Sequence, residues 1–79
     1  MLKKPIPKQK NAPLELYKIG KMIKKEREER NLSLRQLSEK VFGNEYYASA
    51  ILKIENGNKP KVEFMTIVKI LRVFEIKII

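Results

Sequence analysis

The chain is predicted to fold as a compact all-α domain of four or five helices, and three observations carry that expectation. Apolar residues recur at intervals of three and four along most of its length. Residues that start and stop helices stand between those stretches. At 79 residues there is room for one domain with a modest core, but not for two.

Residues 1–12 lie outside this pattern. They hold Lys3, Lys4, Lys8 and Lys10 with prolines at 5 and 7, which remove backbone donors and bias their predecessors away from helix. The segment is predicted to be a basic flexible arm, with residues 13–79 forming the domain and ending in an apolar tail. From about Leu14 to Arg30, positions 16, 19, 22 and 23 make an apolar stripe that Tyr17 widens. The other face is charged, Glu26 and Arg30 are spaced to pair, and Asn31 offers a stop. Ser33 opens a second helix, with Gln36 placed for reciprocal capping and Leu34, Leu37 and Val41 in helical phase. Gly43 closes it, because glycine takes a positive φ at little cost.

Asn44 is placed to cap a third helix whose inward residues are Tyr46 or Tyr47, then Ala50, Ile51 and Ile54. Asn56-Gly57 ends that helix. The pair also suits a hairpin, but the helical phase before it argues for a helix end. Phe64, Ile67, Ile70, Leu71 and Phe74 mark a fourth helix with Lys61, Lys69 and Arg72 facing away. The closing Phe74–Ile79 segment reads as a helix remnant, a short strand or a packing tail.

Composition narrows the function. Without cysteine or histidine there is no disulfide and no zinc site built from thiolates or imidazoles, so neither metal nor cofactor is expected. Every acid is a glutamate, spread among lysines, and no nucleophile–base pair points to an enzyme. No apolar run nears the roughly 18 residues of a membrane span, so a cytoplasmic protein is expected. Eighteen Lys and Arg against nine Glu give a net charge of +9. Small domains commonly carry a magnitude of roughly 2–8. The excess fits a polyanion partner or a lysine-rich solvated surface about equally.

The segment Asn44–Pro60 tips that balance. A short helix behind another short helix can enter a DNA major groove if its leading face is free of bulk. Ala48 and Ser49 leave it free, with Lys53 one turn on. Ser49 can hydrogen-bond a base edge, and Ala48 can touch a thymine methyl. The alternative is that these small residues serve close packing against the first helix.

The residues Arg27–Ser33, Leu37-Ser38-Glu39-Lys40-Val41 and Ile51-Leu52-Lys53-Ile54-Glu55-Asn56-Gly57 resemble the Cro/C1-type, or XRE-like, helix-turn-helix family. The spacing of Phe64, Ile67, Ile70 and Phe74 is similar to its fourth helix, so the resemblance covers about residues 17–76. It implies a lambda-repressor-like fold and a sequence-specific transcriptional regulator: a dimeric repressor, with double-stranded DNA and a second copy as partners. It also implies that Glu55 is structural and paired with Arg27 or Arg35, beside the turn glycine Gly57. Three departures stand out. Leu34 occupies the place of the family's glutamine, the Phe42–Tyr47 turn is about three residues longer, and Tyr47 stands where a Ser or Thr cap is usual.

Candidate base contacts are therefore Ala48, Ser49, Leu52 and Lys53. Candidate backbone contacts are Arg35, Tyr46, Tyr47, Asn56, Asn58 and Lys59, with Lys3, Lys4, Lys8 and Lys10 tracking phosphates or a minor groove. Ser33 and Gln36 are expected to cap one another. A rival reading keeps the scaffold but not the base reading. It is an adaptor or coactivator that takes a regulatory protein partner through Leu34, Leu52, the tyrosines and the apolar tail.

Overall fold

A computed structural model describes residues 12–76. They form a small all-α domain of four helices: α1 (Leu14–Glu29), α2 (Leu34–Phe42), α3 (Ala48–Glu55) and α4 (Phe64–Val73). A single 3₁₀ turn, Glu45–Tyr47, precedes α3. None of the described helices is long and apolar enough to cross a membrane.

The core takes at least one side chain from each helix. Ile23 of α1, Leu37 of α2, Ile51 and Ile54 of α3, and Ile67, Ile70 and Leu71 of α4 are buried together, with Phe74 just past the end of α4. Helix α2 packs on both α3 and α4, and α1 packs on α3. The three- and four-residue spacing of the sequence thus marks most of the inward faces, but Phe64 does not follow it. Phe64 is 62% exposed. It is the first residue of α4, one turn before the packed face of that helix begins at Ile67.

Helix ends follow local chemistry closely. The Ser33 hydroxyl accepts from the Gln36 amide at 3.0 Å, and the Gln36 side chain accepts from the Ser33 amide at 2.8 Å. This is the reciprocal box the spacing predicts. Gly43 has φ +85° and donates its amide to the Glu39 carbonyl. Helices α1, α3 and α4 share another ending, in which the chain turns through a left-handed residue and two amides reach back. After α3, Gly57 (φ +72°) donates to Ile54 O and Asn58 to Lys53 O. Asn31 and Glu75, at φ +56° and +61°, do the same after α1 and α4. The Asn56-Gly57 pair therefore closes a helix and no hairpin. Phe74–Ile76 is likewise a helix ending, with Ile76 packed against the core.

The entry to α3 differs from expectation. Asn44 caps the 3₁₀ turn, its side chain accepting from the Tyr46 amide at 2.8 Å, and α3 itself begins only at Ala48. Neither tyrosine fills the core. Tyr46 is 83% exposed, and Tyr47 lies half out with its ring 4.8 Å from that of Phe42. A 3₁₀ turn has three residues per turn, so the inward phase of α3 does not extend back through it.

Candidate nucleic-acid interface

Helix α3 has two unlike faces. Ile51, Ile54 and Glu55 are buried, whereas Ser49, Leu52, Lys53 and Asn56 are exposed. Steps of three and four place those four exposed residues along one side of the helix. Ala48, at the first position, is half-buried beside them. Four of the residues singled out on this helix and its cap thus form one surface, and Ala48 flanks it.

The surface is held from behind by a buried ion pair. Arg27 Nε donates to Glu55 Oε2 at 2.8 Å and a terminal nitrogen donates to Oε1 at 3.0 Å. The other terminal nitrogen donates to the Leu32 carbonyl at 2.8 Å. The Glu55 side chain is fully buried and that of Arg27 is 12% exposed. Two parallel bonds match the planar guanidinium to the carboxylate. The hydrogen bond to Glu55 raises the Arg27 pKa above its ordinary value, against the lowering effect of burial, so Arg27 stays charged at working pH. Of the two partners the resemblance allows, Glu55 takes Arg27. Arg35 lies on the surface with its guanidinium 3.9 Å from Glu45.

The distance between α1 and α3 is set by Gly20. A Cβ there would meet the Ile54 carbonyl oxygen and lie 3.0 Å from its carbon, so only glycine lets the two backbones come this close. Close packing between these two helices, the alternative use of Ala48 and Ser49, is made at a glycine of the first helix. Nearby, Gly57 is buried beneath the Tyr17 ring, and its carbonyl accepts from the Ala12 amide at 2.9 Å. The described chain therefore begins beside the end of α3. Lys3, Lys4, Lys8 and Lys10 lie outside the described residues.

At the other end of α3, Ser38 plays a part the sequence did not announce. It is fully buried on α2. Its hydroxyl donates to the Asn44 carbonyl at 2.7 Å and accepts from the Tyr47 amide at 3.0 Å. An α2 side chain thereby ties down Tyr47, the residue that precedes α3, while the first turn of α3 itself carries no side-chain cap. The only sequence signal is a small polar residue next to the core position Leu37, which is too common to be diagnostic.

The remaining candidates separate by exposure. Asn58 is exposed, while Lys59 is half-buried at the mouth of a groove beneath α3. Leu34 packs against the core and is only partly exposed. Leu52 is 40% exposed. Searches against protein families, characterised proteins and solved structures gave no match.

Proposed function

We propose that this chain is a sequence-specific DNA-binding regulator of the lambda-repressor-like, XRE-like helix-turn-helix type, acting as a dimeric repressor. The observation that carries the reading is the exposed row Ser49, Leu52, Lys53 and Asn56, on a short helix fastened at both ends. A reading helix must present side chains to base edges from a fixed backbone, and this row does so without a large aromatic residue among its members. The net charge of +9 adds the attraction to phosphate that such a protein requires.

In this mechanism Ser49 and Lys53 meet base edges, with Ala48 and Leu52 offering apolar contact to thymine methyls. Asn56 at the end of the row, with Arg35, Tyr46, Tyr47, Asn58 and Lys59, positions the backbone. Two copies read half-sites about one DNA turn apart, roughly 34–36 Å, and repression follows from occupancy.

Selection from randomised duplex DNA followed by salt titration tests this. The expected result is an enriched two-fold motif. Lys53→Ala should lower the salt slope by about one if the lysine also neutralises a phosphate. Ser49→Ala should relax preference at one position of each half-site. Retention of DNA with no enriched motif would sink base reading. No retention at all, with Leu52→Glu abolishing capture of a protein, would favour the adaptor instead.

A further inference from the structure

Beneath α3 lies a groove of about 390 Å³, between that helix and the irregular segment 58–63. Ala50, Ile51, Ile54 and Val62 line it, together with the rings of Phe42 and Tyr47. Its volume falls in the range of small-molecule sites, roughly 300–1,000 Å³, and its lining is mostly apolar with few polar groups, as such sites are.

The polar groups are at the rim. Lys59 and Lys61 stand there, and among the described residues neither is ion-paired. Glu63 also reaches the rim and is likewise unpaired among the described residues. Two cations against one anion leave the mouth positive, so a single carboxylate is attracted. The Thr66 hydroxyl lines the same groove and has no hydrogen-bond partner among the described residues, leaving a donor for a ligand oxygen.

We propose that this groove binds a small amphipathic monoanion, an acyl chain or apolar ring bearing one carboxylate. The apolar body lies over Ile51 and Ile54, and the carboxylate sits between Lys59 and Lys61 within reach of Thr66. A second carboxylate at the far end of the chain would lie among apolar side chains without a partner, so monoacids are preferred over diacids of equal length. The site requires no DNA and stands whether or not the chain reads base sequence.

The test is a titration of the full chain with octanoate, below its micelle concentration, followed by amide chemical shifts. Octanamide and the diacid suberate are titrated in parallel. Saturable shifts confined to Ala50, Val62, Thr66 and their neighbours are expected with octanoate. Octanamide and suberate should each bind about two- to fivefold more weakly, the scale of one exposed charge interaction. Lys61→Glu should weaken octanoate by a similar factor, and Ala50→Phe, checked for native helicity, should remove the shifts by filling the groove. Equal binding of octanoate and octanamide overturns the anion assignment. Shifts that do not saturate, or that persist in a folded Ala50→Phe chain, overturn the site. If Ala50→Phe fails to fold, the Lys61→Glu and suberate comparisons decide alone. Self-association that covers these residues without any octanoate response also overturns it.

Discussion

Helix α3 is fastened at its end by charge and at its start by a single hydroxyl. At the end, Glu55 is buried against Arg27, Gly57 turns the chain, and Gly20 lets α1 lie directly on the Ile54 carbonyl. At the start, a 3₁₀ turn carries two exposed tyrosines and is tied down by Asn44 and Ser38. The end is dry and anchors the fold. The start is wet and close to the surface proposed to read DNA. A helix secured this way keeps its axis while its leading turn remains the easier part to adjust.

The largest break should come at the buried pair. Glu55→Ala leaves Arg27 without its partner, and breaking a buried pair costs about 3–5 kcal/mol. The low end applies here because part of Arg27 reaches solvent. Set against a total stability of about 5–15 kcal/mol, urea unfolding should show a severely weakened domain. A loss below about 1 kcal/mol, the level of surface pairs, would mean that solvent reaches this pair freely. The contribution of the Arg27 charge should not vary between pH 6 and 9, because its raised pKa keeps it protonated throughout that range. For a group whose folded pKa is raised, stability is complete below the unfolded value and falls only as pH climbs through the folded one.

Next in size is Gly20→Ala. The added methyl meets backbone, which cannot rotate away, so α1 must shift from α3 at a cost of about 1–3 kcal/mol. A melting temperature equal to the parent's would show that the two helices are not held so close. Ser38→Ala should cost a similar or smaller amount, about 1–3 kcal/mol, by leaving the Tyr47 amide and Asn44 carbonyl without their partner. Its distinguishing signature is local. Hydrogen exchange should speed up at Tyr47 and Ala48 more than at Ile54, and uniform acceleration would argue against a separate hold on the helix start. Smallest is Tyr46→Ala. With 83% of its surface exposed, stability should change by less than about 0.5 kcal/mol. DNA affinity is then the informative measurement, since an unchanged affinity removes Tyr46 from the proposed contacts.

These two ends were unequally legible. Asn56-Gly57 after a helical run, and Ser33 with Gln36, are signals contained within a few residues, and the structure meets them bond for bond. The expectation of Tyr46 or Tyr47 in the core failed because it carried the phase of α3 backward through a turn with a different period. Phe64 failed for a related reason, as periodicity states which side of a helix is apolar but not how far along it the neighbours extend. The face of α3 was readable from spacing. Its retention by Ser38 and Gly20 was not, since Gly20 acts on Ile54 far along the chain and Ser38 acts across a 3₁₀ turn that brings Tyr47 back to it.

The sequence alone determined the helices, their stops and most of their buried faces, because capping and amphipathic phase are local properties of neighbouring residues. The family resemblance offered Glu55 two partners and left the choice open. Only the tertiary structure decided that Arg27 takes Glu55 while Arg35 stays at the surface, that Gly20 sets the spacing of α1 and α3, and that Ser38 holds the start of α3. Those outcomes depend on where helices cross. Crossing is fixed by the packing of all the inward side chains together, a condition that no short stretch of sequence contains.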